Sequence, residues 1–263
     1  MASKTVHPVE TLREHATALE AAMTVVLADP RKPAVHKVRA MVRRLEAQLE
    51  LLAQLAALPP GSAETEDLHR RLRKLGRAAG RVRDLDVQRK MLKAHPSLPR
   101  RAAAELREEL KDARGSRAKK LQRALTKQLP RIAGAIEGLV ASVGTANGLV
   151  LPDLRLIPLI ERWTLAHRQE APDLLDDEQL HSARKTAKTA RYMVENATGS
   201  PAAQRAAARY DEQQDAGGRW HDWVDLAETA REYFGKKHPL TVAAGKQCKS
   251  ARAKYVKLLE RLE

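Results

Sequence analysis

The chain has 263 residues, and its hydrophobic content of 43% supplies enough apolar material for a buried core. It carries 48 lysine and arginine residues against 33 aspartate and glutamate residues, a formal net charge of +15. A surplus of this size attracts polyanions. No run reaches the roughly 18 apolar residues of a membrane span, and the first ten residues lack a secretory signal. We therefore expect a cytoplasmic protein, in agreement with its single cysteine, Cys248.

The composition favours helix along the whole chain, because alanine, leucine, arginine, lysine and glutamate dominate over β-branched and aromatic residues. Apolar periodicity, with proline and glycine as punctuation, predicts helices at 8–28, 34–58, 62–94, 98–128, 130–142, 154–169, 176–196, 201–215, 219–234 and 240–262. A break near 76–80 is expected within the third. The glycine-containing segment 144–148 is the predicted junction between two halves. The sequence thus predicts an all-α fold of two bundles, at about 1–148 and 149–263.

The positive charge is concentrated in the first half. Residues 1–150 hold 29 basic and 16 acidic residues, whereas the remaining residues hold 19 and 17. The density is highest from Arg70 to Lys93, where ten basic residues face only Asp84 and Asp86. A solvated basic surface is one interpretation, but a clustered excess is more often the footprint of an anionic ligand.

The second predicted helix presents cations on one face. At about 100° per residue, His36, Arg39 and Arg43 fall within an arc of about 60°, away from the apolar residues. A solvated helix face would interleave acidic residues for pairing one turn apart. None occurs between Arg31 and Leu45, so a ligand is expected to supply the counter-charge.

The same spacing occurs again in the second half. His181, Arg184 and Lys188 repeat the pattern at an offset of 145 residues, and Arg191 extends it by one turn. A glycine followed four residues later by aspartate also recurs, at 80–84 and 218–222, an offset of 138. Two elements that recur in the same order predict an internal duplication with approximate two-fold symmetry.

These motifs resemble those of the CHAD family, the conserved-histidine α-helical domain, over almost the whole chain. The first-half signature is present as His36, Arg39, Arg43 and Arg44, followed by Arg-Asp-x-Asp-Val at 83–87. The second-half motifs are similar to 181–192 and 214–222. The chain departs from the family where Thr189 replaces an arginine and Gly217 a leucine. The first departure removes one expected phosphate contact, and the second is expected to loosen a helix start.

The resemblance implies two four-helix bundles related by a pseudo-two-fold axis, with a basic central cavity that binds inorganic polyphosphate without catalysis. It also implies an association with polyphosphate granules, and no cofactor, metal or membrane contact is expected. Other polyanions and a protein partner stay open. The expected polyphosphate-binding residues are His36, Arg39, Arg43, Arg44, Arg73, Arg77, Arg83, Arg117, His181, Arg184, Lys185, Lys188 and Arg191.

Two other functions stay open at the level of sequence. A binder of nucleic-acid backbones also suits the charge, although all eight aromatic residues lie from Trp163 onward, so the basic half has none for base stacking. A metal-dependent phosphohydrolase is suggested by His221 and Asp222. It is the weaker alternative, because arginines surround the other candidate histidines and disfavour a metal cation. Further candidate cavity walls are Arg114, Lys119, Lys120, Lys246, Lys249 and Lys257.

Overall fold

The computed structural model describes residues 5–58, 62–143, 148–169, 176–197 and 200–262, which form eight α-helices and one pair of two-residue strands. The all-α prediction is confirmed. The helices are α1 (Pro8–Ala28), α2 (Lys32–Gln54), α3 (Ala63–Ala94), α4 (Arg100–Ser142), α5 (Asp153–Gln169), α6 (Asp177–Val194), α7 (Pro201–Phe234) and α8 (Pro239–Arg261). Strands β1 (Thr5–Val6) and β2 (Leu151–Pro152) pair antiparallel and join the N-terminal segment to the start of α5. No described helix is long and apolar enough to cross a bilayer.

Short polar side chains fix where several helices begin. Ser62 accepts a hydrogen bond from the Thr65 amide at the start of α3, and Ser200 accepts one from the Ala203 amide at the start of α7. Asp176 does the same for Glu178 at the start of α6. Such caps satisfy amide groups that have no partner within the helix. At the other end of α7, Gly235 has a φ of 87°, a conformation that favours glycine.

Three predicted helix breaks are wrong. Helix α3 continues through 76–80, α4 continues through Pro130, and α7 continues through 216–218. A glycine or proline inside a helix costs about 1 or about 3 kcal/mol, but apolar burial on both sides offsets that cost. Around Pro130, for example, Leu125 and Ile132 are fully buried in the core. Of the predicted junction 144–148, residues 144–147 lie outside the described residues.

The helices of the two halves pack in the same sequence. In the first half α1 packs on α2, α2 on α3 and α3 on α4, and in the second half α5, α6, α7 and α8 do likewise. Between the halves, α2 contacts α6 and α3 contacts α7. Helices at corresponding positions therefore meet. The two-fold axis itself stays a prediction.

Two apolar clusters join the halves. Ala47 and Leu51 of α2 pack with residues of α5, α6 and α7 that include Tyr210. Leu92 of α3, with apolar residues of α4, packs with residues of α7 and α8 that include Trp223. The polar residues described next occupy α2 before Ala47 and α3 before Leu92, so two apolar seams bound the polar contact between the halves.

Candidate functional site

A cleft lies where α2 and α3 of the first half meet α6 and α7 of the second. Its first cavity has a volume of about 400 Å³. Five arginines and two lysines line it, against two carboxylates, and both halves contribute cations. The lining residues are Arg39, Arg43, Glu46, Gly76, Arg77, Gly80, Arg81, Asp84, Arg184, Lys185, Lys188, Thr189, Tyr192 and His221.

A second cavity, of about 620 Å³, continues the cleft along α3 towards its N-terminus. The two cavities share six lining residues, and Glu46, Arg77 and Thr189 are among them. The second cavity adds His69, Arg73, Glu50 and Trp163. From His69 to Asp84, α3 rises about 1.5 Å per residue, or roughly 22 Å in all. The cleft is therefore an elongated groove, a shape that suits a linear ligand.

Arg39 and Arg184 are enclosed cations of the cleft that have no carboxylate partner among the described residues. Arg184 is only 8% exposed, and its Nε atom has no hydrogen-bond partner. Neither guanidinium lies within ion-pair distance of a carboxylate among the described residues. Burial lowers the pKa of both arginines, and the charge of Arg39 contributes to the lowering at Arg184. The Nη2 atom of Arg184 lies 3.4 Å from Nε2 of His181, which carries no negative charge. A buried charge without a carboxylate partner is costly to the fold, so the two arginines are candidate anion ligands.

The pKa of Lys188 reflects the burial and the positive charge inside the cleft. The pKa of its ammonium group is lowered to about 7. Burial is the largest cause, and the positive charges of nearby arginines add to it: Arg184, Arg39, Arg43 and Arg83. A lysine in water titrates near pH 10.4. Burial, with the surrounding positive charges in second place, thus allows this lysine to lose its proton close to neutral pH.

One part of the first cavity is formed by histidine and carboxylate groups. His221 lies on the cavity wall, with its Nε2 atom 3.6 Å from Asp225 Oδ2. Burial and the cations around it lower the pKa of His221 to about 3, whereas burial and the nearby Asp84 raise the pKa of Asp225 to about 6. His221 is therefore a neutral imidazole at physiological pH.

The cleft contains seven of the thirteen predicted binding residues. Six of them line its first cavity and Arg73 lines its second. His181 does not line either cavity. It packs behind His221, with ring centroids 4.5 Å apart, and burial and Arg184 lower its pKa. The six in the first cavity are Arg39, Arg43, Arg77, Arg184, Lys185 and Lys188.

The structure places His36 away from the cleft. Its Nε2 atom lies 3.6 Å from Oδ2 of Asp86, a buried carboxylate that also accepts a hydrogen bond of 3.1 Å from Arg114 Nε. Arg114 in addition donates to the Pro30 carbonyl oxygen. His36 and Arg114 thus belong to a polar contact among α2, α3 and α4. The helical wheel correctly placed His36 and Arg39 at similar angles around α2. It does not show position along the helix axis, which separates His36 from the cleft.

Three other predicted residues are already paired with carboxylates of the protein. Arg44 donates to Glu195 at 2.6 Å and 3.2 Å. Arg191 bonds Asp211 and lies 3.3 Å from Glu195. Arg83 donates to Asp222 at 2.9 Å and to Asp84 at 3.3 Å. The protein itself thus supplies the counter-charge of these three residues. The pairs of Arg44 and Arg83 join the two halves, whereas those of Arg191 lie within the second half.

The remaining candidates lie on outer surfaces. Arg117 is exposed on α4, and neither cavity includes it. Lys119 and Lys120 are exposed on α4 as well, and Lys246, Lys249 and Lys257 are exposed on α8. Asp84 and Asp86 sit in the middle of α3, so neither caps a helix. Among the described residues, no group of three or more histidine, cysteine or acidic side chains is placed to hold a metal ion.

Several cleft residues were not among the predicted ones. Arg81 belongs to the basic run but follows no motif, and the sequence does not distinguish Glu46 from an ordinary helix residue. Tyr192 ends the second-half motif and His221 was a candidate of the phosphohydrolase alternative, but neither was predicted to bind polyphosphate. Thr189, the residue that replaces a family arginine, does face the cleft. Alignment with the family motif was the one sequence signal that Thr189 faces the cleft. At this position the chain has a hydroxyl group instead of a cation.

The fold and the site together define an all-helical module with a cation-lined groove between two halves. Residues 10–231 match the CHAD domain family, and the chain belongs to it. The CHAD domain from the plant Ricinus communis superposes with a TM-score of 0.69 at 18% identity, covering 98% of this chain and 89% of that one. PptA from Streptomyces chartreusis superposes with a TM-score of 0.61 at 18% identity, covering 97% and 98%. No curated protein gives a significant sequence match.

Proposed function

We propose that the cleft binds inorganic polyphosphate and does so without catalysis. The observation that carries the proposal is the first cavity, in which seven cations from both halves face two carboxylates. One of those carboxylates, Glu46, is already engaged by Arg43 at 2.7 Å. Membership of the CHAD family supports the same ligand, because the family motifs supply several of these cations.

The chemistry of the ligand matches the chemistry of the wall. A polyphosphate chain offers charged oxygen acceptors along its whole length and no donor or base. Arginine can hold two such oxygens with its planar fork, and lysine adds a point charge. Arg39, Arg77 and Lys188 are placed to do this in an elongated groove. A simple charged chain needs no further recognition element.

Nucleic acid fits the cleft less well. Tyr192 is the aromatic side chain that lines the first cavity. The guanidinium groups of Arg44 and Arg191 lie 5.5 Å and 5.0 Å from the centre of its ring, so arginines already cover it. Stacking on aromatic rings is what single-strand binders use. A cavity of about 400 Å³ is also too narrow for a duplex.

The proposal is tested by calorimetric titration with polyphosphates of graded length, beside single-stranded DNA, duplex DNA and orthophosphate at equal phosphate concentration. The variant Arg39→Glu/Arg43→Glu should lose binding while its helix content, measured by circular dichroism, stays unchanged. The matched control is Arg100→Glu/Arg117→Glu, which makes the same change of net charge at exposed positions outside the cleft.

The control variant should bind about as well as the parent. Equal losses in both variants would mean that net charge, rather than the cleft, binds the chain, and would contradict the proposal. Tighter binding of DNA than of polyphosphate would favour the nucleic-acid alternative. Release of phosphate from polyphosphate in the presence of Mg²⁺ or Mn²⁺, lost in the cleft variant, would contradict the absence of catalysis.

A further inference from the structure

A glycine in the middle of α3 leaves room for a cleft arginine. Gly80 is buried and lines the first cavity. A β-carbon on Gly80 would lie 2.9 Å from Nη1 of Arg39, a distance that real β-carbons essentially never show. The Arg39 guanidinium therefore lies directly against the backbone of α3, in space that any other residue would fill.

A glycine in the middle of α7 does the same for the corresponding arginine of the second half. A β-carbon on Gly217 would lie 2.9 Å from Cγ and 3.2 Å from Cβ of Arg184. It would also lie 2.9 Å from Cζ of Tyr255, a ring that is fully buried. Gly217 is thus no loosened helix start, as the sequence suggested, but a point of close approach between α6, α7 and α8.

This close approach is specific to these two glycines and their arginines. Gly218, beside Gly217 in α7, would place a β-carbon in open space, as would Gly115, Gly134 and Gly245. Helical glycine is also disfavoured relative to alanine. In both halves the glycine lies beside an arginine of the preceding helix that has no carboxylate partner among the described residues. This recurrence points to a shared requirement of the two arginines.

We propose that Gly80 and Gly217 are positioning residues for the anion site. Gly80 allows the guanidinium group of Arg39 to lie against the backbone of α3, and Gly217 allows the aliphatic stem of Arg184 to lie against the backbone of α7, so that both arginines reach the same stretch of ligand from opposite halves. The inference rests on the proposed function, because it concerns how that cleft holds a phosphate chain. It also assigns Gly217, rather than Gly218, as the counterpart of Gly80.

The physical reason is the geometry of charge-assisted hydrogen bonds. Such bonds weaken steeply as donor and acceptor move out of line. A methyl group at position 80 would displace the end of a flexible arginine, which leaves the fold intact but moves the donors. Alanine itself favours the helix. Gly80→Ala should therefore weaken binding while stability stays the same or rises, an outcome that a purely structural glycine would not give.

The test measures polyphosphate affinity and the thermal midpoint of the full chain for Gly80→Ala, with Gly218→Ala as the matched control. Gly80→Ala should lower the affinity roughly tenfold, the loss of about one charge-assisted hydrogen bond, with no fall in the midpoint. Gly218→Ala should leave the affinity unchanged, and its midpoint should stay the same or rise. Parent-like affinity in Gly80→Ala would overturn the inference and leave the proposed function standing, since that depends on Arg39→Glu/Arg43→Glu.

Double-mutant cycles separate positioning from general damage. Gly80→Ala should have no further effect on affinity once Arg39 is alanine, but its full effect should persist when Arg184 is alanine. Gly217→Ala should show the reverse pattern. Because of Tyr255, Gly217→Ala is also expected to lower the midpoint, so the cycle is its deciding measurement. A loss from Gly80→Ala that is equally large in the Arg39→Ala background would overturn the inference.

Discussion

At the scale of single residues, the cleft separates cations that the protein neutralises from cations that it leaves for a ligand. Arg44 and Arg83 have carboxylate partners at 2.6 Å and 2.9 Å. Arg184 and Lys188 are just as enclosed but have no carboxylate partner among the described residues, and the pKa of both is lowered. The pairs of Arg44 and Arg83 join the two halves. If the cleft binds an anion as proposed, the cations without a carboxylate partner should gain most from it.

Lys188 should make the affinity for polyphosphate depend on pH. Its pKa is about 7 in the free protein, and a bound polyanion should raise that pKa towards the ordinary value. Below pH 7 the lysine is charged in both states and affinity is highest. Above pH 7 binding must take up a proton, so affinity should fall by up to tenfold per pH unit between about 7 and 9. Titrations in buffers of different ionisation enthalpy would measure the proton uptake.

The control for this prediction is Lys188→Arg, which stays charged throughout the range and should flatten the pH dependence. The double variant His36→Ala/His181→Ala tests whether the two histidines that the sequence predicted as ligands carry the pH response instead. It should leave the dependence of affinity above pH 7 unchanged. A parent protein whose affinity is the same at pH 6.5 and 8.5 would contradict the role of Lys188.

At the scale of helices, one element can serve two purposes along its length. Helix α2 meets Asp86 through His36, lines the cleft through Arg39 and Arg43, and joins the second half through Arg44 and Glu195. A helical wheel shows the angle of each residue around the helix but not its position along the axis. Along that axis His36 and Arg43 lie about 10 Å apart. Angle predicts the face of a helix, but the neighbouring helix at each height determines what that face contacts.

Arg43 and Arg44 therefore make a matched pair of neighbours with opposite expectations. Arg44→Ala should lower the free energy of unfolding by about 1 kcal/mol, because its pair with Glu195 is only partly shielded from water, and should change polyphosphate affinity little. Arg43→Ala should weaken polyphosphate affinity, and it should lower the free energy of unfolding less, because its pair with Glu46 lies within a single helix. Denaturant unfolding and titration of the two variants would measure both quantities. A larger loss of affinity in Arg44→Ala than in Arg43→Ala would contradict this division.

At the scale of the whole molecule, the two halves contribute to one cavity rather than to two separate sites. Arg39 of the first half and Arg184 of the second line the same cavity, and the charge of Arg39 contributes to the lowered pKa of Arg184. Two strips in tandem would need a long chain to bridge them. A shared cavity instead lets even a short chain contact both strips at once.

The two arrangements differ in their dependence on chain length. If both strips line one cavity, Arg184→Ala/Lys188→Ala should weaken binding of tripolyphosphate by about the same factor as binding of long chains. If the strips were separate, this variant would lose more affinity for long chains than for tripolyphosphate. Only a long chain could reach the second strip, at the effective concentration set by binding to the first. Calorimetry with chains of defined length distinguishes them. Unchanged tripolyphosphate affinity in this variant would show that short chains contact the first half alone.

The sequence by itself determined the class of fold and the cations of the cleft. Composition and apolar periodicity predict helices α1 to α8 within a few residues at most ends, and the motif spacing selects Arg39, Arg43, Arg184 and Lys188. These features are local, since a helix face repeats every three to four residues. The continuity of α3, α4 and α7 was missed because glycine and proline were weighed without the burial that surrounds them.

Only the tertiary structure decided which cations are free to bind. Glu195 is 151 residues from Arg44, and Asp222 is 139 residues from Arg83, so no local pattern predicts either pair. The same holds for the contact of His36 with Asp86 and for the space that Gly80 and Gly217 leave beside Arg39 and Arg184. Charge and helix are encoded along the chain, whereas counter-charge and close approach depend on which residues the fold brings together.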